Sequence, residues 1–231
     1  MDPTSRDVIE ITMDIKQAAL FCMFVTLVTS NAVLTNGQGQ AEPQTFTVPK
    51  FCNNLACPAF MVISSTSEYE VREYAETEWV STNQTNMDGY RYNYNMFMRL
   101  FGYIKGENGA DQPISMTCPV VKRINLSRGP TMSTMSFFVD PKQSPAPEPI
   151  NPNVGLYTVP SFTAYVRQFG GFTRGKKVWQ DQADLLGNAL KRDGLEFRED
   201  IFWTAGYDSP WKSQNRHNEV WFLPKNGNLP L

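Results

Sequence analysis

The chain is predicted to be an α+β protein in which one strand–helix–strand–strand unit is used twice, and three observations carry that prediction. Trp79 stands in an alternating run over 69–80, and Tyr165 stands in a matching run over 156–166, about 86 residues later. The same offset takes Leu100 to Leu186 in two helix-like segments, Met116 to Phe202 in two strands and Phe138 to Pro224 near two last strands. A proline-rich connection over 141–149, with Pro152 beyond it, cannot be a central strand and separates the copies. One such unit buries little by itself, so the copies must pack their sheets on each other, and their seam is a natural place for a cleft.

The elements follow in order. Residues 18–28 form an apolar run interrupted only by Thr26, with Lys16 just before it, and Ser30 and Ala32 place small residues at −3 and −1 of a leader-peptidase site. Eleven residues span about 16 Å as a helix, too short for a bilayer core of roughly 30 Å. Residues 1–32 are therefore expected to be a signal peptide, the protein to be secreted, and no stable membrane span to remain once the leader is removed. The acidic start at Asp2, Asp7 and Glu10 is unusual for a leader. Residues 33–67 read as a polar lead-in carrying a short loop between Cys52 and Cys57. The folded domain is expected over 68–225, with pseudo-repeats at about 68–140 and 153–225.

Within the first copy, 69–80 alternates as a strand and a polar turn follows. Residues 87–105 lack proline and carry Tyr90, Tyr94, Phe97, Phe101 and Ile104 at helical spacing before a glycine-containing stop at 106–109. Strands are expected near 114–121 and 131–139. The second copy repeats this as a strand over 156–168, a helix over roughly 174–193 with Val178, Leu185, Leu186, Ala189 and Leu190 on one side, and strands near 201–206 and 219–224. The first helix differs from the second. Tyr92, Met96 and Tyr103 carry apolar surface to another face, with Arg99 among them at i+3 and i+4 spacing. Two readings follow: a deeply buried helix, or an exposed aromatic–Met face that accepts a flat apolar ligand and offers Arg99 to an anionic group.

The formal charge is −2, and removing 1–32 leaves nineteen basic and nineteen acidic residues. No basic tract is present, which argues against nucleic-acid binding. A chain with 41% apolar and 19% charged residues is that of an ordinary folded protein. His217 is the single histidine, so a histidine-rich zinc site, an HExxH motif and a conventional serine triad have no basis. There is no phosphate loop or dinucleotide glycine fingerprint. A Cys52–Cys57 disulfide would close locally and leave Cys118 unpaired, while pairing of Cys118 with either of them stays open. Asn83 and Asn125 head Asn-X-Ser/Thr sequons in turn-like stretches and are expected glycan acceptors. Weak candidate metal ligands are His217, read first as a solvent-side loop residue, and Cys118, read first as a small buried hydrophobe in a strand.

Several segments together resemble the SOUL/haem-binding-protein family: Tyr69-Glu-Val-Arg-Glu-Tyr74, Trp79-Val-Ser-Thr82, Met116-Thr-Cys-Pro-Val120, Tyr165-Val-Arg-Gln-Phe-Gly-Gly-Phe172, Trp203-Thr-Ala-Gly-Tyr-Asp-Ser-Pro210 and Asn215-Arg-His-Asn-Glu-Val-Trp221. The resemblance implies a distorted antiparallel β-barrel or sandwich of two four-stranded sheets with two flanking helices. It also implies non-covalent binding of haem or a related porphyrin in a shallow apolar cleft beside the first helix and the loop before the last strand. Arg99, Lys212 and Arg216 fit as partners of propionates, and Tyr92, Met96, Tyr103 and Trp211 as cover for the macrocycle. Some members carry a histidine, a proposed iron ligand, immediately before the tyrosine of the first strand; here that place holds Glu73. The leading expectation is a secreted tetrapyrrole carrier without catalysis. The alternatives are a protein-interaction module using the same aromatic face, and an enzyme on a small apolar or tetrapyrrole-like substrate.

Overall fold

Nine strands and two helices are present in the computed structural model, which describes residues 45–85, 90–126 and 132–231, with the side chains of 90–92 outside that description. The leader assignment to 1–32 and the Tyr92 side chain therefore lie outside the described residues. The elements are β1 Phe60–Ser65, β2 Glu70–Tyr74, β3 Thr77–Thr85, α1 Tyr90–Ile104, β4 Val120–Asn125, β5 Met132–Phe138, β6 Val154–Val159, β7 Phe162–Phe169, α2 Lys176–Arg192, β8 Ile201–Gly206 and β9 Asn218–Phe222. The expected duplication is there as β2-β3-α1-β4-β5 followed by β6-β7-α2-β8-β9, each copy gaining a strand because the long alternating runs break in two.

All nine strands form one antiparallel sheet in the order β1-β2-β7-β9-β8-β4-β5-β3-β6. Beyond β1 this order is a palindrome of the two copies, joined where β4 pairs with β8 through registers such as Val121 with Ala205. The halves are thus continuous rather than two separate stacked sheets. The first strand of each copy is exchanged: β2 lies beside β7 of the second copy, and β6 lies beside β3 of the first. Neither copy has a complete half-sheet without the other.

Period-two alternation then sorts the side chains. One face of every strand feeds a single interior cluster that includes Phe60, Tyr74, Trp79, Val121, Phe138, Val159, Val166, Trp203 and Trp221, which requires the sheet to curl into a half-barrel. The opposite face carries the helices. α2 buries Ala183, Leu186, Ala189 and Leu190 against Tyr165, Phe202, Val220 and Phe222, while Leu185 faces outward. α1 buries Met96, Leu100, Tyr103 and Ile104 against Val80, Met135, Phe137 and Val154. It ends at Gly106, whose φ of +114° suits a residue without Cβ.

Several expected boundaries move. The polar residues after Ser81 continue β3 to Thr85, so both sequons begin on strands, Asn83 in β3 and Asn125 at the end of β4. Residues 114–119 are not a strand, and Cys118 precedes β4 rather than lying within a strand. The lead-in contributes β1, paired to β2, and Thr47 bridges Phe60. Beyond 225, Leu229 and Leu231 enter the interior, where Trp203 Nε1 donates to the Leu231 carbonyl at 3.1 Å.

The α1 assignment predicts that Leu100→Ala lowers stability by about 2–5 kcal/mol through cavity formation. Met98→Ala, on the outer face, should stay within about 0.5 kcal/mol. Urea unfolding of both variants measures this, and the reverse ranking would reject the helix phase.

Candidate functional site

Met96 and Tyr103, expected on an accessible aromatic face, are core residues at 1% and 2% exposure. The Tyr103 hydroxyl donates to the Pro147 carbonyl at 2.6 Å, and burial, then the nearby Glu78 and Glu148, pushes it up to about 12. This corrects the exposed-face reading for both the porphyrin and the protein-partner versions. The physical reason is helix phase. The buried set is 96, 100, 103 and 104, so of the expected 97, 101 and 104 only Ile104 is fully buried, and Phe97 and Phe101 pack beside it partly exposed. With aromatics on both faces, the repeat does not choose between them; the groove offered by β3, β5 and β6 does.

The outward side of α1 carries Asn93, Tyr94 and Met98, with Arg99 half-buried beside them. Asn95, Met98, Arg99, Glu107 and Asn151 line a shallow open hollow of about 360 Å³. Its lining is largely polar, with Met98 as its apolar wall. Arg99 Nη1 donates to Thr82 Oγ1 at 3.4 Å and to the Asn83 carbonyl at 3.3 Å. Both partners are neutral and both contacts are long, and among the described residues Arg99 makes no ion pair. That leaves its charge available to an anion entering the hollow.

The other predicted residues lie together between β8 and β9. Trp211 is 90% exposed. Lys212 and Arg216 hold the loop closed. Lys212 Nζ meets Asp208 Oδ1 at 2.5 Å, and Arg216 donates to the carbonyls of Ser209 and Lys212, both at 2.7 Å, while lying 4.9 Å from the centre of the Phe172 ring. Asp208 also accepts from the His217 amide at 2.6 Å and from Asn53 Nδ2 at 3.2 Å. No hydrogen bond or ring contact among the described residues joins Trp211, Lys212 or Arg216 to Met96, Arg99 or Tyr103, so the structure forms two groups rather than one.

A third group lies at the interior end of this loop. The Glu219 carboxylate is fully buried and takes four partners: Arg72 Nη1 at 2.9 Å, His217 Nε2 at 2.7 Å, the Tyr207 hydroxyl at 2.8 Å and Trp221 Nε1 at 2.8 Å. Arg72, itself buried, also reaches Glu70 and Tyr74 and stacks 4.0 Å from the Phe60 ring. Burial pushes the Glu219 carboxyl up, but Arg72 and the His217 and Trp221 bonds outweigh it and hold it down at about 2. His217 is therefore not a solvent-side residue. Its ring is bonded to Glu219 and stacked on Phe51 at 3.7 Å. Arg72 and Glu219 escape notice in the sequence because a charge in an alternating strand reads as solvent-facing. The signal is that period two puts Arg72 on the side of Tyr74, and Glu219 on that of Trp221.

Cys52 and Cys57 are bonded to each other, with Cα atoms 6.4 Å apart, and Cys118 is a free, buried thiol. Burial, then Asp208 and Glu219, pushes that thiol up to about 12. Asn83 is exposed, whereas the Asn125 amide nitrogen donates to the Met132 carbonyl at 2.6 Å. Among the described residues no helix is long and apolar enough to cross a membrane.

The duplicated ββαββ chain, curled into one antiparallel half-barrel with a helix on each outer half, is a fold seen in other proteins. The C-terminal domain of EcmrR shares it at a TM-score of 0.51 and 13% identity, over 68% of this chain and 96% of that one. Residues 55–223 match the family described as SOUL heme-binding protein. Heme-binding protein 2 of Mus musculus and of Homo sapiens is 36% identical over 162 residues, 68% of this chain and 78% of theirs. Heme-binding protein 1 of Xenopus laevis is 27% identical over 68% of this chain and 84% of its own. The chain belongs to the SOUL haem-binding-protein family.

The Glu219 network predicts acid sensitivity. Its carboxyl is held below the ordinary 4.5, so its contribution is complete above about 4.5 and is lost as pH falls towards about 2. Glu219→Gln, which removes the buried one of the two carboxylates paired with Arg72, should cost about 3–5 kcal/mol at neutral pH and flatten the dependence of stability on pH in that window. Denaturant midpoints between pH 2 and 7 read both effects; an unchanged slope would oppose them.

Proposed function

We propose that this protein is a non-covalent carrier of haem or a related tetrapyrrole, and that the hollow beside α1 takes a propionate-bearing edge of the ligand. The observation that carries the reading is Arg99, a cation at the hollow whose hydrogen-bond partners among the described residues are neutral, at 3.3 and 3.4 Å. Family membership and the names of the relatives support the ligand class. A hollow of about 360 Å³ is near the lower end of the range for small-molecule sites, consistent with partial, edge-on seating. Met98 supplies apolar contact, and Asn95 and Asn151 supply hydrogen bonds. Glu107 faces the same hollow and opposes an anion. An iron bond is not part of the proposal. Glu73 is a poor haem ligand, and His217 Nε2 is engaged by Glu219 with Phe51 over the ring.

Hemin titration should give a saturable Soret change and quench tryptophan fluorescence at about micromolar concentration. Arg99→Glu should weaken binding about tenfold or more, and Glu107→Gln should strengthen it a few-fold, each tenfold being about 1.4 kcal/mol. Absence of a saturable change, or an Arg99→Glu variant that binds like the parent, would remove the reading.

The same proposal includes export. The apolar run before Ala32 and the Cys52–Cys57 bond support it. Protein recovered from the medium of expressing eukaryotic cells should begin at Val33 and carry glycan on exposed Asn83 in preference to Asn125. Retention in the cell with residues 1–32 intact would oppose it.

A further inference from the structure

Three sulfur atoms from two distant segments meet inside the curl of the sheet. Cys52 and Cys57 belong to the segment before β1, and Cys118 to the segment before β4. The Sγ atoms of all three lie within 4.8 Å of one another, and all three residues are buried in the interior cluster with Phe51 and Ala56 packed against it. The two segments are tied independently of the sulfurs, since the Cys118 amide donates to the Ala56 carbonyl at 3.0 Å. Convergence of the thiols therefore does not depend on the disulfide alone.

We propose that reduction of the Cys52–Cys57 bond converts this cluster into a three-sulfur site for a soft monovalent metal ion, Cu(I). Metal–thiolate bonds of about 2.3 Å put the sulfurs of a planar three-coordinate site about 4 Å apart, so the Cys52 and Cys57 sulfurs, bonded to each other here, part on reduction, while the Cys118 sulfur already lies within 4.8 Å of both. The ligand count selects the metal. Structural zinc takes four ligands, and no histidine or carboxylate among the described residues completes the group, whereas thiolates alone suit Cu(I). The surroundings select it too, because an apolar interior disfavours hard, strongly hydrated cations. The redox balance closes with a named reductant. A phosphine takes the oxidising equivalents of the disulfide, becomes its oxide with oxygen from water and leaves two thiols. Cu(I) then replaces thiol protons, which pass to solvent, and no electron moves in the binding step. The disulfide thus acts as a gate on metal binding, and the site is separate from the hollow beside α1.

The test uses the full chain with Cys22, the one cysteine of the apolar run 18–28, replaced (Cys22→Ser) so that no other thiol competes; it is reduced with a phosphine under anaerobic conditions and titrated with Cu(I) held by a colorimetric chelator. One equivalent per chain should leave the chelator, with a thiolate-to-copper ultraviolet band. Unreduced protein should retain none, and Cys118→Ser should bind at least tenfold more weakly while keeping the parental near-ultraviolet circular dichroism. Cys57→Ser is the second variant, with the same expected loss. Equal retention by Cys118→Ser, equal retention by the oxidised protein, or failure of the reduced chain to compete with the chelator would overturn the proposal.

Discussion

The buried carboxylate of Glu219 imposes the tightest constraint on this molecule. A charge held out of water must be paired and hydrogen-bonded, or the fold that buries it is not stable. Its cation, Arg72, comes from the opposite end of the chain and from the first strand of the other copy. Satisfying the pair therefore requires β2 to lie in the half-sheet of β7, β8 and β9, which is the exchange that makes the duplication one structure. Tyr207, Trp221 and His217 complete the coordination of the carboxylate, so the loop after β8 and the start of β9 are held by the same centre.

That centre also explains the behaviour of the β8–β9 loop. Asp208 fastens it to the His217 amide and to Asn53, and Lys212 and Arg216 spend their hydrogen bonds inside it. Residues that look like free cations in the sequence are structural here, and Trp211 is what remains on the outside. α1 shows the converse. Tyr103 serves the core with Phe97 and Phe101 packed against it, and an arginine at its margin keeps a charge that no acid among the described residues neutralises. A weakly lined hollow beside a cation suits an anionic edge better than a whole macrocycle.

The interior of the curl holds a second chemistry. Phe51, stacked on His217 and edge-on to Tyr207, covers the polar centre, and the Cys52–Cys57 loop follows it directly. The sulfur cluster and the Glu219 network thus share one lid, the segment before β1, so a change in the bonding of the sulfurs acts where that lid is anchored.

Sequence alone determined the duplication, the two helices and the family, because each rests on near-neighbour periodicity or on motifs that survive without knowledge of the fold; among the cysteine pairings it left open, the structure chose Cys52–Cys57. Alternation in β7 and the one-sided repeat of α2 are legible for that reason, and so is the break at 141–149. What it did not determine is which way α1 turns, since Tyr94 and Phe97 compete on equal terms with Met96 and Tyr103 until a sheet is placed beneath them. Nor did it mark Arg72 with Glu219, or bring Cys118 to Cys52 and Cys57. These are contacts between segments far apart in the chain, and strand exchange and the curl of the sheet decide them. Periodicity says which residues of a strand share a side; only tertiary structure says whether that side meets water, a helix or a buried opposite charge.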